Sequence, residues 1–150
     1  MILDIGCGRH PRGHIGIDIT RGSVQNPTSH LDKIIGYTKN EDPMLIQATG
    51  EHLPLRSSSV SEVLVIHSLE HMRCPYKALE EVKRVLRKGG KLIIVVPNPQ
   101  KNRADWIDKT HIYSWTEAAI QNLLEALGYK VIEKKLIVYS QDIYVAATPQ

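Results

Sequence analysis

Seven short apolar runs, drawn mostly from Val, Ile and Leu, punctuate the chain at 2–6, 14–19, 44–48, 62–67, 91–96, 130–138 and 142–147. Amphipathic or polar segments separate them. Short strand-like runs that alternate with helical segments predict an α/β fold, with a mostly parallel sheet covered by helices. The last two runs are joined near Ser140-Gln141. That link is short enough for a hairpin, which makes the seventh strand antiparallel.

Two of the intervening segments carry helical periodicity. Over 75–86 the apolar positions Leu79, Val82, Val85 and Leu86 fall on one face, Pro75 occupies the first turn, and Gly89-Gly90 follows as a stop. Over 115–127 the stripe is Ile120, Leu123, Leu124 and Leu127, with Ser114 and Glu117 spaced as a capping box and Gly128 as the stop. Both stripes are packing faces. The 20–43 segment is polar and holds two prolines and two glycines, so it is expected to be mobile, with at most a short helix over 31–37.

Length bounds the organisation. A chain of 150 residues with 42% hydrophobic side chains suits a single domain over 1–150 that buries its own core. Cys7 and Cys74 show no pairing or CxxC spacing, which fits a reducing compartment. The longest apolar run, 92–96, is far short of the roughly 20 residues a membrane helix needs. A cytoplasmic protein with no membrane contact is therefore expected. The net charge is +3, but the basic residues are scattered along the chain, so nucleic acid is not a favoured partner.

The chemistry starts at the first strand. Ile2-Leu3-Asp4-Ile5-Gly6-Cys7-Gly8 sets an acid late in a strand and then two glycines, whose bare backbone admits a ligand and whose N–H groups receive an anionic group. The second strand ends at Asp18, where a carboxylate at a strand tip can hold a ribose diol. Together they predict a nucleoside-containing ligand; the competing reading of Asp18 is a helix or turn cap. A dinucleotide is disfavoured. Its fingerprint wants a glycine where Pro11 stands, a helix starting there for the pyrophosphate, and an acid roughly 20 residues on, whereas Asp18 follows Gly8 too closely for a crossover helix.

At these residues the chain resembles the class I S-adenosylmethionine-dependent methyltransferases, in particular the methyltransferase type 11 group. Residues 2–8 look like the first motif and Gly16-Ile17-Asp18-Ile19 like the second. Residues 47–55, with Glu51-His52-Leu53-Pro54-Leu55, look like the third, and residues 63–72, with Ser68-Leu69-Glu70-His71, like the fourth strand and the start of the helix after it. The segment ending Leu86-Arg87-Lys88-Gly89-Gly90-Lys91-Leu92 and the one from His111 to Tyr129 complete the match. The resemblance implies a Rossmann-like three-layer sandwich with strand order 3-2-1-4-5-7-6. It also implies S-adenosyl-L-methionine as cofactor and an unidentified methyl acceptor, a small molecule before a macromolecule.

The resemblance also distributes roles. Asp4, Gly6, Cys7 and Gly8 would surround the methionine part of the donor, Asp18 would hold the ribose, and Ile19 would pack on adenine. Thr49, Gly50 and Glu51 would line the adenine edge, and His67 would offer its backbone carbonyl to the donor's amino group. Asn98 lies between Pro97 and Pro99, similar to the Asn-Pro-Pro-aromatic signature of base amino-methylating enzymes, but it follows the fifth strand, where that signature follows the fourth.

Three departures from the family pattern carry expectations. Thr49 stands where the third motif usually has an aspartate, which would weaken the grip on adenine. The link over 9–13 is too short for a crossover helix, so a stretched loop is expected, from which Arg9 or Arg12 could face the donor's carboxylate. Finally, Met1 directly begins the first strand, so the pocket would lack an N-terminal roof. It would then be covered by 20–43, by the 97–113 loop, or by a homodimer mate or partner subunit. A non-catalytic donor-binding partner subunit of another methyltransferase is the alternative function.

If a general base is used, His111 is the first candidate and His71 the second, because imidazole exchanges protons near neutral pH. Asp105, Trp106 and Tyr113 are expected to flank the acceptor. No His, Cys or carboxylate spacing along the chain assembles a metal site, and no nucleophile elbow is present.

Overall fold

The structure is a computed structural model that describes residues 1–20, 29–37, 40, 42–101 and 107–150. Of the segment expected to be mobile, 21–28 with 38, 39 and 41 lie outside the described residues, as do Asp105 and Trp106.

Seven strands form: β1 (Ile2–Ile5), β2 (Ile15–Asp18), β3 (Met44–Gln47), β4 (Val60–Ile66), β5 (Leu86–Pro97), β6 (Tyr129–Ile137) and β7 (Asp142–Pro149). They make one sheet in the order β3-β2-β1-β4-β5-β7-β6. The first five strands pair in parallel, and β7 runs antiparallel to both β5 and β6. This is the Rossmann-like arrangement that the resemblance implied.

Residues of period two decide which layer each helix joins. On one face Leu3, Ile5, Val63, Val65, Leu92 and Ile94 meet Leu79, Val82 and Val85 of α2 (Pro75–Val85) and Ile120 and Leu124 of α3 (Glu117–Ala126), all buried. On the other face Leu64, Ile66, Ile93 and Val95 meet Leu31 and Ile35 of a short helix over Ser29–Ile35, which we label α1. Central strands are thus apolar on both sides, as buried parallel strands must be. No described helix is long and apolar enough to cross a membrane.

The element ends differ from expectation in informative ways. The helix expected over 75–86 stops at Val85, because Leu86 turns to extended dihedrals (φ −66°, ψ 132°) and opens β5 directly opposite Val60. Burying Leu86 in the sheet wins over extending the helix by one residue. Gly89-Gly90, read as a helix stop, instead lies in the irregular opening of β5, where the register slips between the Val60 and Glu62 pairs and Gly89 takes φ +72°. The Ser114–Glu117 capping box is replaced by Thr116, whose hydroxyl accepts from Ala119 N at 3.1 Å. Two hydroxyls so close in sequence compete for one cap, and the packing of Trp115 against the core selects the later one.

The 9–13 link forms no helix, as its length required. It folds tightly against β1: His14 N donates to Ile2 O at 2.9 Å, and a Cβ at Gly13 would stand 2.6 Å from that same carbonyl oxygen. Arg12 then spans the layers, with its Nε on Asp32 of α1, its backbone N–H on Asp4 at 2.8 Å and its NH1 3.8 Å from the Asp4 carboxylate.

Candidate active site

The carboxyl ends of β1, β2 and β4 converge on one point. After β1, Gly6 (φ +71°) and Gly8 (φ +59°) carry the chain through left-handed turns, and Gly6 N donates to Ile17 O at 2.8 Å. Ser68, just beyond β4, fills the space left by Gly6, and its hydroxyl donates to Ile5 O at 2.9 Å. Ser68 was not singled out as a site residue. The signal available was its place straight after the fourth strand.

Asp18 closes the turn from the β2 side. Its Oδ2 accepts from Gly8 N at 2.9 Å, and its Oδ1 accepts from Thr20 N at 3.0 Å and from the Thr20 hydroxyl at 3.2 Å. The carboxylate therefore serves as a turn cap, the competing reading, while also standing at the strand tip. Gly8, Arg9, Asp18, Thr20, Leu45, Ile46 and Gln47 line a cleft of about 440 Å³. Thr20 and Gln47 join it because β3 runs beside β2, and Gln47 donates to Ile19 O at 3.1 Å. The Ile19 side chain is 65% exposed beside them.

Asp4 lies beneath this turn, 1% exposed. Burial raises its carboxyl to about 6, against the lowering effects of the Arg12 N–H and guanidinium. Cys7 is also buried, and burial together with the charges of Asp4 and Asp18 pushes its thiol up to about 12. Arg12 is committed to Asp4 and Asp32 behind the turn, while Arg9 lines the cleft. Of the two arginines, Arg9 is the one among the residues that line this cleft.

The third motif splits. Gly50 is buried with Ile5 Cγ2 only 3.3 Å from where a Cβ would be, and Thr49 is exposed, its carbonyl accepting from His52 N at 3.2 Å. Glu51 Oε1 accepts from Cys74 N at 3.2 Å, so this carboxylate is tied to the start of α2.

His67 takes φ +49° at the tip of β4, a conformation a non-glycine residue keeps only when its surroundings impose it. Here its N–H donates to Val95 O at 2.8 Å and its Nε2 donates to Asp142 at 3.1 Å, with Glu70 3.7 Å from Nδ1. Burial alone would lower this imidazole, but the hydrogen bond to Asp142 and the nearby Glu70 carboxylate prevail and hold it at about 9. Past it, His71 and His111 meet edge to face with ring centroids 4.7 Å apart. The backbone N–H groups of Ile112 and Tyr113 both donate to Glu70 O, which pins that loop to the turn after β4.

These residues fit the donor the resemblance named. A cleft of about 440 Å³ is ample for a nucleoside. It combines a carboxylate at a strand tip, further polar groups on Thr20 and Gln47, and the aliphatic side chains of Leu45 and Ile46.

Comparison with known proteins agrees. A methyltransferase domain family model matches residues 3–94, and a second methyltransferase domain model matches 59–134. An uncharacterised protein of Methanocaldococcus jannaschii is 27% identical over 151 residues, covering 99% of this chain and 63% of that protein. An S-adenosylmethionine-dependent methyltransferase of Mycolicibacterium smegmatis is 24% identical over 135 residues, covering 87% of this chain and 52% of its own length. The chain thus spans between half and two thirds of these relatives. Among solved structures, a chain of the complex between the Haloferax volcanii Trm112 methyltransferase activator and a methyltransferase superposes with a TM-score of 0.75 at 16% identity, covering 99% of this chain and 82% of that one. That likeness shows the shared fold. The chain belongs to the methyltransferase domain family, class I, whose cofactor is S-adenosyl-L-methionine.

Proposed function

We propose that this chain transfers a methyl group from S-adenosyl-L-methionine to an acceptor, a small molecule in preference to a macromolecule. The observation that carries the reading is Asp18: a carboxylate at the tip of β2, bonded to the glycine turn of β1 at 2.9 Å and opening on the cleft. When bound, the donor supplies an electrophilic methyl on a sulfonium. The chain supplies grip and direction. Asp18 accepts from the ribose hydroxyls, Ile19 packs against the adenine, and Thr49 and Gly50 border its edge. The turn over Gly6, Cys7 and Gly8, whose N–H groups are held by Ile17 O and Asp18, borders the methionine portion, Arg9 offers a cation to its carboxylate, and the His67 carbonyl accepts from its amino group.

Transfer to a nucleophile needs in-line approach, and positioning accounts for much of the lowering of the barrier. For an acceptor that must lose a proton, His111 is the first candidate base and His71 the second, in so far as neither is engaged by a metal ion. Calorimetry with S-adenosyl-L-methionine and S-adenosylhomocysteine tests the binding step, and incubation of cell extract with labelled donor tests the transfer. Binding followed by a labelled product supports the reading. Binding without any product points to a donor-binding partner subunit, and no binding of either compound removes both.

A further inference from the structure

We infer that Glu70, His71 and His111 form a binding site for one divalent transition-metal ion. Each offers one ligand atom, and the three atoms lie within 4.8 Å of one another. Around a metal with bonds near 2.1 Å, ligand atoms sit roughly 3.4 Å apart, so modest rotations of exposed His71 and half-buried His111 complete the site. Two imidazoles and one carboxylate suit zinc, manganese, iron or cobalt, and do not suit magnesium, which prefers oxygen ligands.

A second observation points the same way. The Glu70 side chain is 1% exposed, and among the described residues neither of its carboxylate oxygens receives a hydrogen bond. A carboxylate taken out of water without hydrogen bonds is costly; the His67 imidazolium beside it offsets part of that cost, and a cation held in the cluster would supply the direct bonds that its oxygens lack. Its Oε1 lies 3.9 Å from His71 Nε2 and 3.7 Å from His67 Nδ1, so it is aimed into the histidine cluster.

The surroundings are those of ligating histidines. His71 Nδ1 is 3.0 Å from Thr110 O, and a carbonyl only accepts, so Nδ1 carries a hydrogen and Nε2, the atom facing Glu70, is the nitrogen left for a metal ion. A backbone carbonyl holding the second ring nitrogen is the usual way a ligating imidazole is oriented. His111 has the Asp108 carboxylate 3.6 Å from its Nε2, and Asp108 is itself held by the N–H and hydroxyl of Thr110. One loop, 108–111, therefore presents both a ligand and the groups that orient the site. No spacing in the sequence announced it, because His111 reaches the turn after β4 from a separate part of the chain.

A ligating imidazole has no lone pair left to act as a base, so a bound cation removes His71 and His111 from that role. The inference stands apart from methyl transfer, since cation binding is measured with neither donor nor acceptor present. The test is titration of the tag-free, chelator-treated chain with Zn2+ by calorimetry, and with Co2+ by visible absorption. Binding of about one equivalent that weakens at least about tenfold in both His71→Ala and His111→Ala, but not in the control His52→Ala, a histidine outside the cluster, supports the site. Melting curves establish that the variants fold. No Zn2+ or Co2+ binding by the unaltered chain, unchanged binding in both histidine variants, or equal displacement by Mg2+ overturns it.

Discussion

Gly6 and Ser68 approach so closely that a Cβ added at position 6 would stand 2.3 Å from the Ser68 Cβ. Through this contact, and the Ser68 hydroxyl on Ile5 O, the ends of β1 and β4 are locked side by side. The turn that faces the cleft can hold its shape only while residue 6 lacks a side chain and accepts φ +71°. Gly6→Ala is therefore expected to cost roughly 3 kcal/mol, from the clash and the left-handed backbone together. Adding Ser68→Gly should recover part of the loss in a thermal-melt double-mutant cycle, whereas Ser68→Ala, which keeps the Cβ, should not.

Asp18→Asn tests the nucleoside grip. An amide keeps the size of the side chain but removes the charge that Gly8 N and the ribose hydroxyls would bond to. Affinity for S-adenosylhomocysteine is expected to fall about 10- to 100-fold, corresponding to roughly 1.4–3 kcal/mol. Calorimetry reads this directly, and an unchanged affinity would contradict the proposed role.

The two loop arginines should separate cleanly. Arg12 is buried between Asp4 and Asp32, so Arg12→Ala leaves two carboxylates facing each other without their cation and should destabilise the fold by roughly 3–5 kcal/mol. Arg9 lines the cleft, so Arg9→Ala should leave the melting temperature nearly unchanged while weakening donor binding. Melting and calorimetry on the same two variants check both halves.

Cys7 should be inert. Burial and the neighbouring Asp4 and Asp18 charges raise its thiol to about 12, which leaves almost no thiolate at neutral pH. Cys74 is exposed. A disulfide-exchange reagent is expected to modify one cysteine quickly in the folded chain, identified as Cys74 by mass spectrometry, and the second only in denaturant.

Glu81 gives stability a defined acid limb. Its hydrogen bond to Arg84, with a further bond from Leu53 N, holds the carboxyl down at about 2, below its ordinary value of 4.5. A depressed carboxylate stabilises the fold above its unfolded pKa and loses that contribution as pH falls toward its folded one. Glu81→Gln should thus cost roughly 1 kcal/mol at pH 7. The difference from the unaltered chain should shrink between about pH 4.5 and 2, as denaturant midpoints across that range would show.

The strands and their alternation with helices were legible because they depend on local composition and period, and the central strands are apolar on both faces. The glycine turn and Asp18 were legible for a related reason: a strand, two glycines and an acid at the next strand tip already constrain what can bind there. Chain ends of elements were less so. Leu86 left α2 because Val60 needed a partner in the sheet, and Thr116 displaced Ser114 as cap because Trp115 packs inward.

By itself, then, the sequence determined an α/β sheet and pointed to the tips of its first two strands as the place where we propose a nucleoside binds. Tertiary structure alone decided that Arg12 belongs to Asp32 rather than to a ligand, that Ser68 fills the space left by Gly6, and that His111 meets Glu70 and His71. The physical reason is the range of the forces involved. Propensity and periodicity act over a few neighbouring residues, whereas the partner of a buried charge is whichever group the packed layers bring within a few ångströms, however far away it lies in the chain.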